Sequence, residues 1–377
     1  MTPSALLDRL GLRYPIIQAP MAGIATPELA AAVSNAGGLG SLGLGASTPA
    51  QARQMITATR ALTPLAFNVN VFCHRPAQRD DARESAWLAH LAPFFAEMGA
   101  PVPNTLTETY RSFCVDDAML AVLLELRPAV VSCHFGLPSA TQIEALHAAG
   151  IVLMATATQI DEARRLENAG IDVLIAQGIE AGGHRGVFAV DAADERLSTS
   201  VLTRLLVRQT CLPVVATGGI MDGAGLGAVL ALGAVAAQLG TAFILCPESA
   251  ADAGYRAALL SPRAATTRLT DVISGRPARA IVQRFIEAAA GGPRPADYPL
   301  AYDVAKQLHR LASRRGSQDF AAHWAGQGAP LARAMSAAEL VASLVAEWQA
   351  GPHRAVREVA VMSDGEGQVC RGGRPSC

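Results

Sequence analysis

The sequence predicts a single α/β domain of the (β/α)8 TIM-barrel class with a C-terminal helical cap, and three observations carry that expectation. Short apolar runs recur, each followed by a Gly- or Pro-bearing loop and an amphipathic segment, which is the rhythm of repeated βα units. Eight such runs can be counted, the number that closes a parallel barrel. Helix-start and helix-stop chemistry falls between them, where a βα repeat requires it.

The eight runs are 15–19, 38–42, 65–71, 129–133, 152–155, 172–176, 213–217 and 235–239. Thr26-Pro27 places proline at a first helical position, and Thr48 with Gln51 and Ser139 with Gln142 read as capping boxes. In Ala149-Gly150-Ile151 and Ala169-Gly170-Ile171 a glycine ends a helix in the left-handed conformation and an apolar strand begins at once. Two parts depart from the bare barrel. The stretch 73–128 is a long excursion with helical patterns at 82–98 and 116–126, and 247–350 reads as wholly helical, a cap on the barrel of residues 1–246. The polar, Gly-rich stretch 363–377 predicts a disordered tail.

Composition narrows the function. Hydrophobic residues make up 51% and charged residues 17%, with formal net charge −1, so no nucleic acid and no anionic membrane is called for. A small neutral or anionic molecule fits better. The seven cysteines form no Cys-x-x-Cys pair, and the first residues show no basic region leading into an apolar one, so a reduced, cytoplasmic protein is expected. Residues 226–245 carry no charge, but three glycines, Gln238 and Thr241 interrupt them, as in a buried helix followed by a buried strand.

Barrel active sites lie where the strands end. After the sixth run comes Gln177-Gly-Ile-Glu-Ala-Gly-Gly-His-Arg-Gly186, after the seventh Thr217-Gly218-Gly219, and after the eighth Gln238-Leu239-Gly240-Thr241. A single Gly-Gly is usually a tight turn. Glycine loops after both of the last two strands instead form a phosphate cradle, where backbone N–H groups can approach an anion. Gln177, Gln238 and Asn70 are amides suited to the edge of a pyrimidine-like ring. Flavin mononucleotide satisfies both ends, and a phosphosugar satisfies the phosphate end as well. Among the eight histidines, His184 sits in the loop after the sixth strand and is the first candidate for proton transfer or charge stabilisation, with His134 second. No histidine spacing suggests a metal site. Tyr298, Tyr302 and Lys306 recur every four residues, which on one helix gives a shared face, either a packing stripe or an anion-binding one.

At these residues the sequence resembles the nitronate monooxygenases, once called 2-nitropropane dioxygenases, in their larger bacterial and fungal class. Four segments carry the likeness, which spans nearly the whole chain up to the tail. They are Pro15-Ile-Ile-Gln-Ala-Pro-Met-Ala-Gly23 with Ser34-Asn-Ala-Gly-Gly-Leu-Gly40, Phe67-Asn-Val-Asn70, His134-Phe-Gly-Leu-Pro138, and Ala176-Gln-Gly-Ile-Glu-Ala-Gly-Gly-His-Arg-Gly186. The last is the most specific. The resemblance implies non-covalent FMN and oxidation of alkyl nitronates, such as propionate 3-nitronate, by O2 to a carbonyl compound and nitrite. By position it implies flavin contacts at Met21, Asn70, Gln177, Gly182, Gly183, Gly218, Gly219, Gln238, Leu239, Gly240 and Thr241. It makes His184 the catalytic histidine and puts His134, Tyr298, Tyr302 and Lys306 on the substrate side, with no nicotinamide cofactor.

Two other readings are carried forward. An FMN- and NAD(P)H-dependent enoyl-thioester reductase resembles this fold and shares the Glu-Ala-Gly-Gly-His segment, although Gln177 and the Tyr-Tyr-Lys stripe favour the nitronate reading. A barrel that holds flavin or phosphate without redox turnover is a different class. An inosinate-dehydrogenase-like barrel needs a cysteine nucleophile after the sixth strand, and Cys211 sits before the seventh.

Overall fold

The computed structural model describes residues 3–351, so the stretch 363–377 lies outside the described residues. In chain order the strands are β1 (Ile16–Gln18), β2 (Gly40–Gly43), β3 (Phe67–Phe72), β4 (Val130–His134), β5 (Val152–Ala157), β6 (Val173–Gln177), β7 (Gly183–His184), β8 (Val214–Thr217), β9 (Ala236–Leu239), β10 (Thr267–Thr270) and β11 (Ala278–Ile281). Eight of them form one parallel sheet in the order β1-β9-β8-β6-β5-β4-β3-β2. A parallel bridge between Ile17 and Leu39 joins its two edges, so the sheet closes into the expected (β/α)8 barrel.

The strands are buried on both faces, and their period of two decides which side chains point inward. Val173 and Ile175 of β6 pack inside the barrel with Val152, Met154, Val215 and Ala236. Leu174 and Ala176 point outward against helix residues such as Leu202 and Leu206. Carried one step further, the alternation aims Gln177 inward at the C-terminal mouth. The same logic turns Asn70, His134 and Gln238 inward, because their neighbours Val69, Val71, Cys133, Ala237 and Leu239 lie in the outer cores.

The helix-end chemistry is as expected. Thr48 and Ser139 form reciprocal capping boxes with Gln51 and Gln142, and Thr26 caps the helix that begins at Pro27. Gly150 and Gly170 adopt φ of 80° and 87° right after their helices. The uncharged stretch 226–245 is divided among the helix Gly223–Ala231, β9 and a short turn at Thr241–Phe243. No helix among the described residues is long and apolar enough to cross a membrane.

The expectation of a wholly helical segment after β9 is corrected. Helices Ala253–Leu260, Leu300–Ser313 and Ala337–Ala350 are present, but β10 and β11 form an antiparallel pair between them, and β11 also pairs with β7. Alanine and arginine in Ala278–Ile281 favour a helix by propensity alone. Pairing on both sides satisfies the backbone as a strand instead. The excursion between β3 and β4 packs its helix Asp81–Glu97 through Trp87, Leu91 and Phe95 against Phe285, Leu300, Val304 and Leu308. That apolar cluster lies outside the barrel and sets the helix Leu300–Ser313 over the mouth.

Candidate active site

A cavity of about 190 Å³ opens at the C-terminal mouth. It is lined by Met21, Asn70, His134, Gln177, Gly182, Gly183, His184, Gly218, Gly219, Gln238, Gly240, Thr241 and Tyr302, all expected from the sequence. Three expected residues do not line it. Leu239 follows the strand alternation outward into the apolar cluster with Ile16 and Phe243. Tyr298 precedes the helix Leu300–Ser313, so the four-residue spacing does not put it on the face of Tyr302; it is 3% exposed and lies behind the wall against Phe135. Lys306, the chain's single lysine, stacks its ammonium over the rings of Tyr110 at 4.3 Å and Tyr302 at 4.9 Å. Burial lowers the Lys306 pKa.

The loop bearing His184 is fixed from several directions. β7 pairs with β11, matching Gly183 to Arg279 and His184 to Ala278. The Gln177 Nε2 donates to the His184 carbonyl at 3.0 Å, while its Oε1 accepts from the Gly186 amide at 2.7 Å. Arg185, almost fully buried, makes a bidentate pair with Asp194 at 2.8 and 2.9 Å and also donates to the Gln177 carbonyl. Planar two-point pairing of this kind fixes orientation as well as charge.

Hydrogen bonding assigns the protons on both histidines. His134 Nε2 lies 3.1 Å from the His184 carbonyl oxygen, which can only accept, so Nε2 carries the proton and Nδ1 accepts from Thr156 at 2.9 Å. His184 Nε2 lies 2.9 Å from Ser274 Oγ. That hydroxyl also lies 3.1 Å from the Arg276 carbonyl, to which it can only donate. Its one proton is therefore committed, and His184 Nε2–H donates to Ser274. His184 Nδ1 keeps its lone pair and has no hydrogen bond among the described residues. Burial pushes the His184 pKa down to about 3, helped by His134, Arg276 and His74, and burial likewise pushes His134 to about 4. Both rings are neutral at neutral pH.

Around His184 stand Trp324 at 5.1 Å, Tyr298 at 5.5 Å, Phe135 at 5.6 Å and Tyr302 at 6.2 Å between ring centroids. Of the residues that complete this box, the sequence did not single out Tyr110, Ser274, Arg276 or Trp324. Ser274-Gly275-Arg276-Pro277 carries only a turn signal, and Trp324 lies in irregular chain after the helix Leu300–Ser313.

Glycine loops also wall the cavity, and they fit a phosphorylated flavin. Gly218 and Gly219 have φ of 127° and 70°, a region that favours glycine. A Cβ on Gly218 would meet Thr199 Oγ1 at 2.5 Å, and one on Gly182 would meet the Gly326 amide nitrogen at 2.5 Å. The glycines thus let neighbouring backbones close up around the cavity. Gln238 Oε1 is sealed from solvent with no protein partner among the described residues, an acceptor that fits an N–H or O–H donor of a ligand. Asn70 spends its Nδ2 on Ser132, at 3.0 Å to the carbonyl and 2.9 Å to Oγ, which leaves its Oδ1 to accept.

Comparison with known proteins agrees with this geometry. A nitronate monooxygenase family profile matches residues 3–347. The nitronate monooxygenase of Paraburkholderia phytofirmans is 58% identical over 91% of this chain and 94% of its own. That of Pseudomonas aeruginosa is 56% identical over 90% of this chain and 97% of its own. Among solved structures, nitroalkane oxidase from Streptomyces ansochromogenes superposes with a TM-score of 0.84 at 41% identity, covering 95% of this chain and 99% of that one. FabK from Thermotoga maritima superposes with a TM-score of 0.71 at 27% identity, covering 95% and 98%. With the profile matching almost all of the described residues and relatives of this identity spanning nine-tenths of its length, the chain belongs to the nitronate monooxygenase family.

Proposed function

We propose that the cavity holds FMN and that the protein oxidises alkyl nitronates of the propionate 3-nitronate type with O2 to a carbonyl compound and nitrite. The observation that carries this reading is His184: a neutral imidazole with a free Nδ1, in an aromatic box within a cavity that glycine loops also wall. Gly182, Gly183, Gly218, Gly219, Gly240 and Thr241 would hold the phosphate side of the cofactor, and Asn70, Gln177 and Gln238 its ring edge. Bound flavin supplies the electron acceptor that no side chain of this chain provides.

The chain's own part is to bind, orient and keep water away. Tyr302, Trp324 and Phe135 give a planar nitronate aromatic walls, with His184 beside them. With Nε2–H donated to Ser274, Nδ1 presents a lone pair that can take a proton from a neutral nitroalkane. Toward an anion the opposite polarity is needed. If the Ser274 hydroxyl turns from the Arg276 carbonyl to Nε2, the imidazole proton moves to Nδ1, which then donates to the nitronate. A pKa near 3 makes His184 a weak base, so orientation of an already ionised substrate is the use we assign first.

The enoyl-thioester reductase reading draws on the FabK likeness, which is the more distant in identity. One experiment separates the readings. The purified protein is mixed anaerobically with propionate 3-nitronate, NADH or NADPH while the flavin spectrum is followed, and nitrite is then assayed in air. A spectral change with nitronate alone, followed by nitrite, is expected; bleaching by a nicotinamide alone overturns the proposal.

A further inference from the structure

Among its lining residues the cavity has no Asp, Glu, Lys or Arg, and its two histidines are neutral at neutral pH. An anionic substrate must nevertheless be preferred if the nitronate reading, on which this inference rests, is right. We propose that Arg276 is the specificity-determining residue: its guanidinium, buried behind Phe135, makes the cavity select an anion over a neutral ligand of similar shape.

Arg276 is 4% exposed. It donates from Nη2 to the Val187 carbonyl, while its Nε is sealed and has no hydrogen-bond partner. Among the described residues no carboxylate lies within ion-pair distance of it. The charged and titratable groups that act on it from a distance are Tyr298, Glu162, Asp297 and Arg75. Both carboxylates are already engaged: Glu162 accepts from Thr158 and the Phe188 amide, and Asp297 faces Arg75, Arg83 and the Gln78 amide. Burial lowers the Arg276 pKa to about 10, so the group stays cationic at neutral pH. A buried cation without a counter-ion destabilises its surroundings until an anion arrives.

Its position lets it act on the cavity. The guanidinium carbon sits 4.3 Å from the centre of the Phe135 ring and 6.0 Å from that of Tyr298. Phe135 in turn lies 4.4 Å from the His134 ring and 5.6 Å from that of His184 and itself lines the cavity, so one aromatic ring separates the charge from the cavity. Hydrocarbon screens far less than water. Burial is the main cause that keeps His74, His134 and His184 neutral, and the positive field of Arg276 adds to it by lowering the pKa of all three. Of the other cations near the cavity, Arg185 is neutralised by its two-point pair with Asp194, and Lys306 is only partly buried and more open to screening.

The test uses flavin-loaded protein carrying 15N-labelled histidine, the His184 signal being assigned by its loss in H184N. Wild type, R276M, R276Q and R276K are titrated with nitrate, a planar anion, and with nitroethane at a pH where it is neutral. Arg276→Met is expected to weaken nitrate about tenfold, equivalent to about 1.4 kcal/mol. Nitroethane should stay within roughly twofold, and Arg276→Lys should keep nitrate within roughly threefold. The His184 pKa should rise in the neutral variants, and R276Q gives the same reading if R276M does not fold. Equal weakening of both ligands, or unchanged nitrate affinity, overturns the proposal. Anion selectivity lost in R276M without nitrite release by wild type would sink the nitronate reading alone; nitrite release with no change in selectivity would sink only the role of Arg276.

Discussion

His184 Nε2 stands 2.9 Å from Ser274 Oγ, and Ser274 is fully buried in the turn that leads into β11. The histidine comes from the loop after β6 and the serine from the segment after β9, so the barrel supplies the imidazole and the segment that follows its last strand sets its proton. Ser274→Ala removes the acceptor of Nε2–H and leaves a buried ring nitrogen unsatisfied. We expect turnover of propionate 3-nitronate to fall about tenfold with KM changed far less. Ser274→Thr, which restores a hydroxyl, should recover most of it. Equal loss in the alanine and threonine variants would show that packing, not the hydroxyl, matters.

His184→Asn tests the imidazole itself. His184 sits in the aromatic box, while Gly218, Gly219 and Gly240 come from other loops of the cavity, so the variant should purify yellow with a full complement of flavin. Its nitrite release should drop by about a hundredfold or more, the range for loss of a positioned acid–base group. Stopped-flow rates alongside flavin content check both halves. Normal turnover would remove His184 from the reaction.

Gly218→Ala probes the proposed cofactor end. At φ of 127° an alanine is strained, and its Cβ would press on Thr199 Oγ1, which is hydrogen-bonded to Glu180 and to the Gly218 carbonyl. The expected result is a folded protein with less than about a tenth of the wild-type flavin, since a displacement of that loop costs more than a tenfold factor in affinity. Flavin released by heat and quantified against protein gives the answer, with circular dichroism as the control for folding. Full flavin occupancy would move the phosphate elsewhere.

The legible part of this molecule was the part governed by local rules. Gly150 and Gly170, the two capping boxes and the apolar strands declare themselves because each solves a local problem of backbone pairing or conformation. Gln177 and His184 were found because strand ends in a barrel converge whatever the loops do. Ser274, Arg276 and Trp324 were not, because nothing in their own neighbourhoods is periodic; they reach the site through the pairing of β11 with β7 and the packing of the chain that flanks it. Tyr298 shows the opposite failure. Its spacing to Tyr302 suggested one helical face, but the helix begins at Leu300, and the tyrosine turns behind the wall.

The buried histidines carry a prediction about acid stability. Burial, the largest cause for each, lowers the pKa of His74, His134 and His323 to about 4 and that of His184 to about 3. In the unfolded chain each returns to about 6.5. Above that pH both states are neutral at these sites and contribute no difference. As pH falls below it, the unfolded state takes up protons that the folded state refuses, so stability must fall, by up to about 1.4 kcal/mol per pH unit for each histidine. The window closes near pH 4 to 3, where the folded rings begin to protonate as well. Urea unfolding at pH 7.5, 6.5 and 5.5 should show a decline that steepens below 6.5, and the linked uptake near pH 5.5 should be roughly three to four protons. His323 stacks on Tyr255 at 4.7 Å away from the His184 cluster, so His323→Phe should remove about one of those protons and leave the rest. Stability that stays level from pH 7.5 to 5.5 would mean that these rings take up protons in the folded protein as they do in the unfolded chain, and His184 would then be a cation at pH 5.5 rather than the neutral imidazole its hydrogen bonds describe.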